Sequence, residues 1–152
     1  MTNVLGGTIS YQYTGHRLTQ VTDPRGNLPL RNSYDLTGRV TTQLDAAGNA
    51  IQYSYGLLGG SPLPGTTTVT NQRGKTTTVF FDIYWRVTAT KNHEGGITSA
   101  TYNDSNDVIS GTSPLNSTWN YAFDGSHNLT SITDPLSKVS TFADNSRNDP
   151  TV

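Results

Sequence analysis

A phenylalanine or tyrosine returns at a fixed interval along most of this chain. Tyr13, Tyr34 and Tyr55 are spaced 21 residues apart, and so are Phe81, Tyr102 and Phe123, after one step of 26 between Tyr55 and Phe81. A period of this length marks a repeat architecture, in which each unit can bury its apolar face only against its neighbours. It also leaves few residues free to be unique, which weighs against a conventional active site.

The cleanest unit runs from Tyr34 to Tyr55. It contains two strand candidates and two turns, Asp35-Leu36-Thr37-Gly38 and Asp45-Ala46-Ala47-Gly48-Asn49. Aspartate opens a turn by accepting a backbone N–H two residues on, and glycine supplies the positive φ near its end. The pattern suits a hairpin loop made of a type I turn and one left-handed residue. The second turn recurs as Asp23-Pro24-Arg25-Gly26-Asn27, Asn71-Gln72-Arg73-Gly74-Lys75 and Asn92-His93-Glu94-Gly95-Gly96. It then loses its glycine, in Ser113-Pro114-Leu115-Asn116-Ser117 and Asp134-Pro135-Leu136-Ser137-Lys138. Serine tolerates the left-handed region poorly, so the last hairpin is expected to be the least well formed.

The strand before each repeat boundary alternates with a period of two. Ile9, Tyr11 and Tyr13 share a face, as do Ile51, Tyr53 and Tyr55, and Trp119, Tyr121 and Phe123. The opposite face carries Gln12, Ser33, Gln52, Ser54, Thr101 and Asn120. The partner strand keeps one apolar or β-branched residue just after the first turn: Leu18, Val40, Thr66, Val87, Val108 and Leu129.

These residues resemble the YD repeat, also called the Rhs repeat. The resemblance rests on Tyr34-Asp35, Gly38-Arg39-Val40, Gly48-Asn49 and Tyr53-Ser54-Tyr55, and on Asp23-Pro24-Arg25-Gly26-Asn27. Phe81-Asp82 with Arg86-Val87, and Phe123-Asp124 with Asp134-Pro135, are looser copies. The resemblance implies an all-β fold of repeated antiparallel β-hairpins forming a curved ribbon or partial shell. Shells of this family occur in bacterial polymorphic toxins, in the C component of insecticidal toxin complexes and in teneurins, and in the toxins they enclose a C-terminal effector. This chain shows fewer repeats than a closed shell needs, and no self-cleaving aspartate motif or toxin-like domain follows them.

The expected organisation is a lead-in over residues 1–8, about six hairpin repeats over 9–144, and a tail or truncated next repeat over 145–152. Residues 57–65, Leu-Leu-Gly-Gly-Ser-Pro-Leu-Pro-Gly, interrupt the third repeat and read as an enlarged loop with Leu57, Leu58 and Leu63 as its apolar residues. Prolines cannot donate to a sheet ladder.

Composition narrows the function. Apolar residues make up 32% and charged residues 14%, against about 45–50% and about 25% in ordinary globular domains. Thr, Ser, Asn and Gly fill the gap, as suits a thin sheet with one aromatic and one hydroxyl-rich face. The net charge is −1 with basic residues scattered, which argues against nucleic acid as a partner. There is no cysteine, hence no disulfide or thiolate metal site. No segment reads as a membrane span, and no basic start followed by an apolar core marks a signal peptide. His16, His93 and His127 read as exposed turn residues, and the aspartates as turn openers. No cofactor, no metal site and no enzyme activity are expected.

The leading reading is a non-enzymatic scaffold module of a secreted or cell-surface bacterial protein, contributing to a β-shell that encloses or presents a partner domain. Its partners would be other YD repeats or copies of itself through sheet edges, and an enclosed effector. The alternative is a carbohydrate-binding or adhesion module that holds glycans on its aromatic ladder. The contact candidates are Trp85, Trp119, Tyr121, Tyr53, Tyr55, Tyr11 and Tyr13. Trp85 replaces the turn glycine of the clean copy and is expected to be exposed.

Overall fold

The computed structural model describes residues 7–57, 65–144 and 150–151. Its strands follow one another as neighbours in chain order: β1 (Ser10–Thr14), β2 (Arg17–Thr22), β3 (Leu30–Tyr34), β4 (Val40–Leu44), β5 (Ala50–Leu57), β6 (Gly65–Thr70) and β7 (Thr76–Phe81). They continue as β8 (Val87–Lys91), β9 (Ile97–Tyr102), β10 (Val108–Thr112), β11 (Thr118–Phe123), β12 (Leu129–Thr133) and β13 (Val139–Thr141). A separate short pair joins β14 (Ala143–Asp144) to β15 (Pro150–Thr151). The fold is all-β, a ribbon of antiparallel hairpins. Most of the interrupting loop, including Leu58 and Leu63, and most of the tail lie outside the described residues.

The chain divides into two compact units. The first comprises residues 1–57 and 66–78, the second residues 58–65 and 79–152. In neither is any described side chain buried, apolar or polar. A single sheet with no second layer has no core, so hairpins must be held by their turns and by bonds between neighbouring strands.

The turns share one geometry. Asp35 N–H donates to Arg39 O (2.9 Å), Gly38 N–H donates to Asp35 O (3.1 Å), and Gly38 has φ 92°. This is a type I turn closed by a left-handed residue. Asp45 with Gly48, Asp82 with Trp85, Asn103 with Asn106, Asp124 with His127 and Asp134 with Ser137 repeat it. The opening side chain fixes the loop. Asp35 Oδ1 accepts from the backbone N–H of Thr37 and of Arg39, both at 2.9 Å. These bonds lower the pKa of Asp35 and Asp45 and favour their charged forms. For Asp35 the Thr37 hydroxyl is the main cause and the Arg39 N–H the next; for Asp45 the Asn49 side-chain amide leads.

The last hairpin has the shortest strand of the sheet, three exposed residues at its outer edge, but its turn is not the weak part. Ser137 takes φ 66°, and Asp134 accepts from Leu136 and Lys138 at 2.9 and 2.8 Å. The longest opening bonds belong instead to Ser113, at 3.3 Å to Leu115 N–H and 3.2 Å to Ser117 N–H. A hydroxyl is a weaker and shorter-reaching acceptor than a carboxylate, so the opening residue matters more here than the left-handed one.

A β-bulge sits beside the first turn of each first-turn hairpin whose register is described in full. Gln12 pairs with Gln20 but Tyr13 with Leu18; Ser33 pairs with Thr42 but Tyr34 with Val40. The same shift separates Val108 from Ser110 opposite β9, and Ala122 from Phe123 opposite β12. One extra residue therefore brings Leu18, Val40, Val108 and Leu129 onto the aromatic face, where simple alternation would have turned them away. The opposite face carries hydroxyl pairs across strands: Thr68 with Thr78 at 3.0 Å, Thr101 with Ser110 at 2.6 Å, and Thr112 with Thr118 at 2.9 Å.

Candidate functional site

The side chains that do the most specific work lie at the seams where one first-turn hairpin meets the next. In the first unit, the β4–β5 ladder pairs Leu44 with Ala50, Gln43 with Ile51 and Thr42 with Gln52. The strands part beyond that, towards the first turn. There the Tyr55 hydroxyl donates to Val40 O at 2.7 Å, and the Arg39 guanidinium lies 4.3 Å from the Tyr55 ring centre. Tyr34 makes the same bond to Leu18 O (2.6 Å), with Arg17 5.8 Å from its ring. In the second unit, Tyr102 donates to Val87 O (2.8 Å) under Arg86 at 4.7 Å.

Each seam thus combines three parts. An arginine that closes one first turn stacks on the boundary tyrosine of the next strand pair. That tyrosine donates to the carbonyl just after the arginine. A stacked guanidinium contributes about 0.5–1 kcal/mol at an exposed site, and the hydroxyl bond about 1 kcal/mol. The arginine is itself aimed by the turn opener: Arg39 Nε lies 2.8 Å from Asp35 Oδ2, and Arg86 Nε 2.7 Å from Asp82 Oδ2.

The arginine also faces the left-handed residue of the next turn. Arg86 Nη1 donates to Asn103 O (3.1 Å) and to Asn106 Oδ1 (2.9 Å). Arg17 packs so closely on Gly38 that a Cβ there would lie 2.9 Å from Arg17 Nη2. The following seam of the second unit changes every part. Asp107 stands where Arg86 stood, Phe123 where Tyr102 stood, and His127 where Asn106 stood. His127 Nδ1 meets Asp107 Oδ1 at 2.8 Å, and Asn103 Nδ2 donates to Asp107 Oδ2 at 2.9 Å. The Asn103 amide foremost, and His127 next, lower the Asp107 pKa below the usual carboxylate range.

The seven contact candidates fall into three pairs and one residue by itself. Tyr55 is committed to its seam, and Tyr53 is half-buried on the same face of β5. Tyr11 and Tyr13, 46% and 58% exposed, stand on β1 opposite Val21 and Leu18. Trp119, 42% exposed, faces Gly111, which itself faces Ala100, so a small-residue floor adjoins the indole; Tyr121 faces Ile132. Trp85 stands apart from these. It is 69% exposed at the tip of a first turn, with φ 64°, beside exposed Ile83 and Tyr84, and its ring lies 6.5 Å from Phe81. A bulky residue at positive φ is strained.

All three histidines are exposed turn residues, as the sequence suggests. In the first hairpin Gly15, not His16, takes the left-handed conformation. His127 does take it, yet it is tied to Asp107 rather than free. The seam residues Arg17, Arg39, Arg86 and Asp107 were not singled out from the sequence as a set. Their signal was the pairing of Arg with Tyr in three copies and of Asp with Phe in one.

Open grooves are shallow. One of about 370 Å³ is lined by Ile51, Asn71, Gln72, Arg73 and Lys75, with Gln72 Nε2 donating to Asp45 Oδ2 at 3.1 Å beside it. Among the described residues no cluster of three or more His, Asp and Glu could hold a metal, and no helix is long and apolar enough to cross a membrane.

Residues 102–139 match the family model described as RHS Repeat. No curated protein matches the chain. Among solved structures, a chain in the crystal structure of TcdB2-TccC3-Cdc42 aligns over 93% of this chain at 16% identity and TM-score 0.50. A chain of the Photorhabdus luminescens Tc holotoxin pore carrying a TccC3 mutation aligns over 95% at 17% identity and TM-score 0.50. One in TcdB2-TccC3 without the hypervariable C-terminal region aligns over 94% at 16% identity and TM-score 0.50. This chain spans about a tenth of the length of each, 10% in all three. The resemblance read from the sequence therefore holds: residues 102–139 match the RHS repeat, and the chain shares the hairpin fold of these solved structures.

Proposed function

We propose that this RHS-repeat chain is a non-enzymatic wall module: it builds part of a β-shell that encloses or presents a partner domain of a secreted or cell-surface protein. One observation carries the reading. The described residues contain no buried side chain, while repeated Arg–Tyr–carbonyl seams join hairpin to hairpin. A module that spends its specific contacts on continuity is suited to forming a surface, not a pocket. The comparison chains support the reading by fold, and what they assemble with belongs to those proteins.

The unshielded aromatic face and the outer sheet edges call for further YD hairpins, a second copy, or an enclosed domain. The native mass of the purified chain, by size-exclusion chromatography with light scattering, tests this. A defined oligomer is expected. A stable monomer that keeps Tyr11, Tyr13 and Trp119 solvent-accessible would overturn it.

A second reading, glycan binding, draws on the exposure of Trp85 and Trp119. It predicts signals on a broad glycan panel that Trp85→Ala or Trp119→Ala abolishes. An empty panel would sink it.

A further inference from the structure

We propose that the seam between turns 103–107 and 124–128 is a pH-graded closure, tightened by acidification, in a ribbon whose other described seams are insensitive to pH near neutrality.

The argument is a comparison of equivalent positions. At the preceding seam, the residue that closes one first turn is Arg86, and it bonds the left-handed residue of the next, Asn106, at 2.9 Å. Neither partner titrates near neutrality, since an arginine stays charged and an amide does not ionise. One repeat later the same two positions hold Asp107 and His127, at 2.8 Å. The polarity is reversed: the closing residue is now the acceptor, and the left-handed residue the donor. The donor is the one side chain whose charge ordinarily changes between pH 5 and 8.

The seam has little else to rely on. Phe123 has no hydroxyl to give to the Val108 carbonyl, and Asp107 cannot stack as arginine does. The acceptor is held ready, because Asn103 donates to the other carboxylate oxygen and only 13% of the Asp107 side chain is exposed. The charged groups set against the imidazole are Asp107 across the seam and Asp124 in its own turn.

The sign follows from both partners. Above neutrality a neutral imidazole N–H donates to the Asp107 carboxylate, and only one partner carries charge. As pH falls through the histidine range, an ion pair replaces it. At still lower pH the contribution is lost again, when Asp107, held below the usual carboxylate range by Asn103 and His127, finally takes a proton.

Hydrogen exchange of the full chain tests this, with rates corrected for the intrinsic effect of pH. Between about pH 8 and about pH 5.5, amides of residues 107 and 124–128 should gain about threefold protection relative to those of residues 82–86, the scale of a partly exposed ion pair. His127→Asn keeps a residue that accepts the left-handed conformation, so the turn folds while the relative gain disappears. A ratio that does not change with pH, or one that changes equally in His127→Asn, would overturn the proposal.

Discussion

The two units close the same turn with different residues. In the first, the left-handed positions are Gly15, Gly26, Gly38, Gly48 and Gly74; in the second they are Trp85, Gly95, Asn106, Asn116, His127 and Ser137. The backbone bonds scarcely differ. Gly48 N–H reaches Asp45 O at 3.1 Å, and Ser137 N–H reaches Asp134 O at 3.0 Å. Glycine therefore does not create this turn. The opening Asp, Asn or Ser and the flanking strands impose it, and glycine only lowers its cost, by about 1–2 kcal/mol relative to a residue with a Cβ. The second unit accepts that strain five times and gains side chains at the rim: an exposed indole at Trp85, an amide for Arg86 at Asn106, and an imidazole for Asp107 at His127.

The largest expected effect comes from forcing the first unit to behave like the second. Gly38→Val places a branched side chain at φ 92° and against the Arg17 guanidinium. It should destabilise the chain by about 2 kcal/mol, read from the midpoint of urea denaturation. A neutral outcome would mean that glycine is incidental in the first unit too.

The seams offer the next test. Tyr55→Phe removes the bond to Val40 O and should lose about 1 kcal/mol. Phe123→Tyr should restore the missing donor in the second unit and recover less than that. If both variants match the parent in thermal denaturation, the hydroxyls are not what joins the hairpins.

A smaller gain is expected from relaxing the second unit. Trp85→Gly and Ser137→Gly each relieve strain but free the unfolded chain, with a net stabilisation under about 1 kcal/mol. A destabilised Trp85→Gly would show that the indole's contact with Phe81 outweighs the strain. Acid gives the mildest contrast. Asp23, Asp35 and Asp45 in the first unit and Asp82 and Asp124 in the second have depressed pKa values. Their contribution is complete above about pH 4 and lost as pH falls through the lower folded values. Denaturation midpoints should be level between about pH 5 and pH 4 apart from the histidine seam, then drop.

The period of 21, the turn openers and the two-faced strands could be read directly, because each repeats at fixed spacing and each has a local cause. The bulges could not. An extra residue beside each first turn changes which face Leu18 and Leu129 occupy, and nothing in simple alternation reveals it. The seams were hidden for a different reason. Tyr34, Tyr55 and Tyr102 look like apolar ladder residues, but their function there depends on backbone carbonyls 15 or 16 residues earlier, and carbonyls leave no trace in a sequence. His127 was read as a solvated turn residue. Only its distance from Asp107, equal to that between Arg86 and Asn106, hinted at the bond between them.

A protein in which no described residue is buried has no centre that every part must fit. Each hairpin answers only to the one before it and the one after. Its length is then an open variable for inheritance, since whole units can be duplicated or dropped at a seam without repacking anything distant. Damage stays as local as repair: a poor turn such as the one opened by Ser113 weakens its own neighbourhood and leaves the rest of the tape legible.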